Sequence, residues 1–302
     1  MGIWIIQISG FAALLVQREK MWYTVEKRAA LRHTGDNTMI DFKTKKLFLL
    51  DMDGTLYLGD NLFDGTTEFL QQIKMQGGRY LFATNNSSRS VHAYVDRMAR
   101  LGIPSEPEDF LTSVDALIWY LRGRYDNTLI YALGTRTFRE QLAEAGFHIT
   151  DHLTDGIGLL VCGFDRELTY QKLTDACYLL TVKDVDYIAA NPDWVCPTPW
   201  GSIPDCGSIC HMLRTATRRW PKFIGKPEPE MAYLSMERCG CTKEETVLVG
   251  DRIYTDIACG VNAGIDTAFV LSGEGIPSDI AQYGVTPSGT YRDIREIYEL
   301  MR

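Results

Sequence analysis

The chain reads as an α/β protein with a Rossmann-like, doubly wound parallel-sheet core and an inserted α/β cap domain. Two observations predict this. From about residue 42, short apolar runs of strand character alternate with stretches of helical periodicity, the pattern that parallel sheets covered by helices require. Four of the runs end on residues suited to phosphate chemistry: Lys46–Leu50 into Asp51-Met-Asp53-Gly-Thr55, Tyr80–Ala83 into Thr84-Asn85-Asn86, Phe223–Gly225 into Lys226, and Val247–Gly250 into Asp251. In an open parallel sheet the carboxyl ends of the strands share one edge, and ligands bind just outside it.

Residues 1–40 stand apart. Ile3–Val16 is apolar but broken by Gln7 and Ser9, and it is shorter than the roughly 20 residues of a spanning helix. Met1-Gly-Ile-Trp lacks the positive charge of a signal peptide and Gln17-Arg-Glu-Lys lacks a cleavage site. The stretch reads as an N-terminal extension, either a misassigned start ahead of Met39 or a weak peripheral anchor, with no stable membrane span. The core is expected in two pieces, 41–112 and 208–302, flanking the cap at 113–207. In the first piece, Val91, Val95, Met98 and Leu101 recur at helical spacing and stop at Gly102, which predicts a helix over Ser88–Leu101. The cap reads as strand Thr128–Leu133, helix Phe138–Ala145, strand Ile157–Cys162, helix Leu168–Leu180 and strand Asp186–Ala190. Asn191–Gly207 is rich in turn formers and reads as the return linker.

Composition narrows the function. With 302 residues, 45% hydrophobic and 23% charged, the chain can build a sizeable core. A net charge of −8 argues against a nucleic-acid partner, which needs a basic footprint. A small anionic substrate stays compatible if a few cations and a metal reverse the sign within one cleft. The eight cysteines, several inside apolar stretches, read as reduced thiols of a cytoplasmic protein. Cys206-x3-Cys210-His211 and Cys239-x-Cys241 lack the paired spacing of common zinc sites, so they read as core and surface thiols.

The chemistry lies in the strand-end residues. If strand geometry continues past Leu50, Asp51 and Asp53 share one face. Carboxylates that close call for a hard divalent cation such as Mg²⁺, which takes oxygen ligands. A calcium loop does not fit, because Thr55, Leu56 and Leu62 occupy the positions where an EF-hand needs an acid or amide, Gly and Glu. Asp251 and Asp256 form a second acidic pair, one at a strand end and one in the next turn. Thr84 and Lys226 offer a hydroxyl and a fixed cation for phosphate oxygens. No P-loop, no dinucleotide-binding glycine fingerprint and no cysteine with an arginine six residues on is present, and the five histidines lie outside the motifs.

Asp51-Met-Asp-Gly-Thr-Leu, Thr84-Asn-Asn-Ser-Ser, Gly225-Lys-Pro and Gly250-Asp-Arg-x-x-Thr-Asp256 together resemble the four motifs of the haloacid dehalogenase-like hydrolases. The Thr-Asn-Asn-Ser form, Ala190-Asn-Pro-Asp193 and the position of the insertion resemble the nitrophenylphosphatase-like and acid-sugar phosphatase branch, over residues 42–302. The resemblance implies a Mg²⁺-dependent phosphatase for small phosphorylated metabolites, with Asp51 as nucleophile and Asp53 as alternating acid and base. It further implies Mg²⁺ on the Asp51 carboxylate, the Asp53 carbonyl and Asp251, with Asp256 supporting from behind. Thr84, Asn85, Asn86 and Lys226 would clamp the phosphoryl group, and a dimer would form through the cap. Substrate preference is expected to vary with the cap, where Trp194, Cys196 and Asp205 are the candidates; Asp205, in Pro204-Asp-Cys-Gly207, adds a carboxylate to a turn where the family often has small residues. Alternatives are a phosphotransferase or mutase on the same fold and a phosphoacceptor signalling module, which would need neither Asp53 nor an insertion.

Overall fold

Leu47, Phe48, Leu49 and Leu50 are all buried in the first strand, as a strand covered on both faces requires. The computed structural model describes residues 40–198 and 200–302; apart from Ile40, the predicted N-terminal extension lies outside the described residues. In chain order the elements begin with β1 (Leu47–Leu50), β2 (Tyr57–Leu58), β3 (Asn61–Leu62), α1 (Thr66–Met75), β4 (Arg79–Thr84), α2 (Val91–Arg100), β5 (Phe110–Thr112) and α3 (Ser113–Leu121). Next come β6 (Leu129–Leu133), α4 (Arg136–Glu144), β7 (Ile149–Thr150), β8 (Ile157–Cys162), α5 (Tyr170–Val182), β9 (Asp186–Ala189), β10 (Val195–Thr198), β11 (Gly201–Pro204), α6 (Cys206–Thr217) and β12 (Lys222–Phe223). The chain closes with α7 (Glu230–Cys239), β13 (Thr246–Gly250), α8 (Ala258–Ala263), β14 (Asp266–Val270), α9 (Ser278–Tyr283), β15 (Gly289–Tyr291) and α10 (Ile294–Met301).

Two parallel sheets result. The first runs β15-β14-β13-β1-β4-β5. From β1 the chain builds outward to β4 and β5, then returns to lay β13, β14 and β15 on the other side. The order therefore reverses between β1 and β13, the place where such sheets bind ligands. Strand alternation separates its faces: Phe48, Leu50, Tyr80 and Phe82 pack with α1 and α10 residues such as Phe69 and Ile297. Leu47, Leu49, Leu81 and Ala83 point the other way, into a cluster with α3 and α7 that also holds Ile130, Leu159 and Ile188 of the second sheet.

The second sheet runs β12-β9-β8-β6-β7. Its other face, with Tyr131, Leu133, Leu160 and Cys162, is covered by α5 and α6. This membership differs from the sequence expectation at three points. Phe223 belongs to β12, an edge strand paired with β9, so the run before Lys226 lies in the second sheet and not in the core sheet. An apolar run that short carries no information about which sheet it joins. Second, α6 and β12 pack with the second sheet, so that unit continues to about residue 224 instead of ending at 207, while α3 packs on α7 and β5 of the core. Third, the predicted return linker contains a two-stranded antiparallel hairpin, β10-β11.

Helix ends are set by local chemistry. Thr135 and Thr169 accept hydrogen bonds from Phe138 and Lys172 N–H and so start α4 and α5. Asp205 does the same for α6. Pro229 precedes α7.

Candidate active site

Lys226 lies at the centre of the site. The chain leaves β12 alongside the end of β9, with Gly225 N–H donating to Ala190 O at 2.7 Å. A side chain at Gly225 would strike Ala190 O and Asn85 Oδ1, so glycine permits the close approach. Lys226 then crosses to the core sheet. Its Nζ donates to Asp51 Oδ1 at 2.7 Å, Asp256 Oδ1 at 2.5 Å and Ala83 O at 3.1 Å. Burial works against its charge, but Asp256 and Asp51 outweigh that and hold Lys226 above the ordinary lysine range.

Asp51 comes directly after β1 and Asp251 directly after β13, on the two sides of the strand-order reversal. Asp256 sits in a single π turn over Ile253–Ile257, a geometry frequent at functional sites. Oxygens of Asp51, Asp251 and Asp256 lie within 4.8 Å of one another. Burial and the Asp256 charge push Asp51 up to about 6 against the pull of Lys226, and burial with the Asp51 and Asp256 charges pushes Asp251 up to about 8. One lysine does not satisfy three clustered acids, two of them buried. Asp251 Oδ2 accepts from Glu274 N–H at 2.7 Å, yet its Oδ1 is buried without a hydrogen-bond partner. An orphaned carboxylate oxygen facing two more carboxylates fits a hard cation. The backbone is shaped around this cluster: at Gly54, with φ +88°, a Cβ would lie 2.4 Å from Asp251 Oδ2. That accounts for glycine after Asp53.

The Asp53 carboxyl is not in the cluster. It is 61% exposed, lies 4.0 Å from Arg97 Nη2 and lines a cavity of about 450 Å³ whose floor includes Asp51, Thr84 and Lys226. Arg97 is itself held by a bond to Gly59 O and by the Tyr57 ring, 4.8 Å away.

The predicted phosphate-clamp residues divide. The Thr84 hydroxyl lines the cavity and accepts from Asn86 N–H at 3.2 Å. Asn85 and Asn86 also line it, but their side chains have other partners. Asn85 Nδ2 donates to Lys226 O at 2.8 Å and Asp193 Oδ2 at 2.7 Å, and Asn86 Oδ1 accepts from Ser88. Asn85 thus ties the β4 loop to the Lys226 backbone. Ser87 extends the tie, donating to Asn191 Oδ1 and accepting from Phe164 N–H.

Of the cap candidates, Cys196 and Asp205 line the cavity. Trp194 does not: it is 47% exposed and packs on His211, with ring centroids 5.0 Å apart. Its neighbour Val195, the first residue of β10, lines the cavity instead. Asp205 Oδ1 accepts from Asn191 Nδ2 at 3.0 Å and Cys206 N–H at 2.5 Å. Burial and the Asp193 charge push its carboxyl up to about 7. Sequence reasoning missed Arg89, Arg97, Arg252 and Asp193 as cavity residues. Asp193 and Arg252 stand inside the motifs and Arg89 directly beyond one, whereas Arg97 reaches the cavity only because α2 runs beside it.

The fold and this acid–lysine centre define a class of protein, and comparison with known proteins gives the same one. Residues 48–148 match a family profile described as haloacid dehalogenase-like hydrolase, and residues 223–297 match a second, HAD-hydrolase-like profile. The chain is 32% identical over 255 residues to an acid sugar phosphatase of Staphylococcus aureus, covering 84% of this chain and 97% of that protein. It belongs to the haloacid dehalogenase-like hydrolase family. Among solved structures, a 4-nitrophenylphosphatase from Thermotoga maritima aligns with a TM-score of 0.80 and 36% identity, over 86% of this chain and 99% of that one. A glycerol phosphate phosphatase from Mycobacterium tuberculosis, in complex with calcium, aligns with a TM-score of 0.78 and 28% identity, over 85% and 75%. Within the family the chain falls in the nitrophenylphosphatase and acid-sugar phosphatase branch, and it is a phosphatase-type hydrolase. Among the described residues no helix is long and apolar enough to cross a membrane.

Proposed function

We propose that this chain hydrolyses small phosphate monoesters, of the sugar phosphate and nitrophenyl phosphate type, through a phosphoryl group carried on Asp51. The observation that carries the proposal is the Lys226 ammonium bonded to both Asp51 and Asp256 beside the orphaned Asp251 oxygen, with Asp53 on the cavity side. A partly exposed nucleophile whose charge is balanced by a fixed cation can approach a phosphate dianion. The names of the similar proteins, acid sugar phosphatase, 4-nitrophenylphosphatase and glycerol phosphate phosphatase, support the same substrate range. A cavity of about 450 Å³ suits a small ester.

In the proposed sequence, an Asp51 carboxylate oxygen attacks phosphorus and the ester P–O bond breaks. Asp53 gives its proton to the departing alkoxide. Water then attacks the phosphorus, Asp53 takes the proton, and the Asp51–phosphorus bond breaks to release inorganic phosphate. Lys226 and Thr84 hold the phosphoryl oxygens as charge shifts between them. Asp51 and Asp251, with Asp256 behind, would hold Mg²⁺, which supplies charge neutralisation for the phosphoryl oxygens. Asn85 acts as a positioning residue, holding the Lys226 backbone in place.

The test is phosphate release from a panel of nitrophenyl, glycol, sugar, nucleotide and pyridoxal phosphates, with Mg²⁺ and with chelator. Chelator-sensitive release that disappears in Asp51→Asn supports the reading. Unchanged turnover in Asp51→Asn would sink it. Silence across the panel by the folded, Mg²⁺-supplied protein would replace hydrolysis with transfer to an acceptor.

A further inference from the structure

Cysteines from two distant parts of the sequence meet in the second sheet unit. Cys162 ends β8, and Cys206 and Cys210 lie one turn apart on α6. All three are fully buried, and their sulfurs lie within 4.8 Å of one another. Apolar packing alone does not account for the group beside them. The Tyr187 hydroxyl from β9 adjoins Cys210 in a residue only 6% exposed, and it is buried without a hydrogen-bond partner. An unsatisfied buried hydroxyl is costly and calls for a reason.

We propose that Cys162, Cys206, Cys210 and the Tyr187 hydroxyl form a binding site for one soft divalent metal ion of the Zn²⁺ class, separate from the acid cluster. Three sulfurs at a metal–sulfur distance of about 2.3 Å in a tetrahedral site stand about 3.8 Å apart. Cys206 Sγ and Cys162 Sγ are already 4.0 Å apart, far too distant for a disulfide, whose sulfurs sit at about 2.0 Å. Without metal the thiols have only weak partners: Cys206 donates to Cys162 O at 3.5 Å and Cys162 to Gly163 O at 3.6 Å. Three thiols beside one hydroxyl are a ligand set needing only proton loss. Binding Zn²⁺ displaces the thiol protons of Cys162, Cys206 and Cys210 to solvent, and no sulfur is oxidised. Three thiolates with a divalent ion leave one negative charge, where a monovalent ion would leave two. The soft sulfur ligands separate this ion from the hard one suited to the carboxylates.

The site is placed to brace the cavity. Cys206 N–H holds Asp205, which lines the cavity, and the residue two beyond Cys162 is tied to Ser87 through Phe164 N–H.

The experiment loads reduced, metal-free full-length protein with Co²⁺, either native or refolded in its presence, and reads thiolate-to-metal charge-transfer absorption. One equivalent per chain is expected, with the band lost in Cys210→Ser and in Cys162→Ser and kept in Asp51→Asn and Cys239→Ser. No band in the wild type, or a band that survives both cluster substitutions or is lost in Cys239→Ser, would overturn the site. Should the cluster variants not fold, Zn²⁺ must protect Cys162, Cys206 and Cys210 of the wild type from alkylation; equal labelling with and without Zn²⁺ would also overturn it.

Discussion

Asp205→Asn should stabilise the protein, and the gain should depend on pH. In the folded chain Asp205 is 4% exposed and lies beside Asp193, and its carboxyl ionises at about 7 instead of the ordinary 3.8. Between these values the folded state retains a proton that the unfolded chain has lost. Stability therefore falls as pH rises from about 4, and the loss is complete just above 7. The full shift, at about 1.36 kcal/mol per unit, sets an upper bound of about 4 kcal/mol, and relaxation of the site brings the expected cost to roughly 2–4 kcal/mol. Asparagine removes this cost without removing the contacts, because Asn191 Nδ2 and Cys206 N–H both bond to the same oxygen, Oδ1. An amide oxygen can occupy that position and still cap α6. For a chain of this length an unfolding entropy of roughly 0.6 kcal/mol/K converts 3 kcal/mol into about 5 °C of Tm. Thermal unfolding of both proteins at pH 4, 6 and 8 is the assay. The curves should coincide near pH 4 and separate by several degrees at pH 8, with the variant higher. A separation that does not change with pH, or a variant less stable at pH 8, would refute the burial argument for Asp205.

Three further outcomes are expected from the same structure. Lys226→Met leaves Asp51 and Asp256 buried without their cation; denaturant unfolding in chelator should show a loss of about 3–5 kcal/mol, partly recovered with Mg²⁺, while phosphate release stays absent in both conditions. Gly54→Ala drives a Cβ to 2.4 Å from Asp251 Oδ2 at a φ of +88°; it should cost about 1–3 kcal/mol and weaken Mg²⁺ activation, read as a raised half-saturating Mg²⁺ concentration. Trp194→Ala removes a half-exposed ring that packs on His211 outside the cavity; kcat/KM for a sugar phosphate should stay within about twofold, the kinetic equivalent of about 0.5 kcal/mol, whereas Cys196→Leu, inside the cavity, should raise KM.

Much of the site was legible because strand and motif coincide. Asp51, Thr84 and Asp251 each stand at the end of a buried core strand, so the parallel-sheet rule alone places them on one edge. Lys226 is recognisable by its motif, but the sequence puts it in the wrong sheet, since Lys222–Phe223 is a two-residue edge strand with no periodicity of its own. Trp194 and Val195 are neighbours in sequence, yet only Val195 lines the cavity, a distinction set by the packing of Trp194 on His211. Asn85 was expected to contact phosphate, whereas its amide protons go to Asp193 and the Lys226 carbonyl, partners contributed by a different sheet.

By itself the sequence determined the α/β class, the burial of Leu47–Leu50 and the residue types needed for phosphoryl chemistry, because these depend on local apolar patterning and on the residues at the carboxyl end of each strand. Only the tertiary structure decided that the carboxyl ends of two sheets converge, bringing Lys226 from one onto Asp51 and Asp256 of the other. It alone decided that Cys162 meets Cys206 and Cys210, and that Arg97 enters the cavity from the flank of α2. These are contacts across long stretches of chain. They are set by which helix faces and strand edges pack together, and no local spacing encodes that choice.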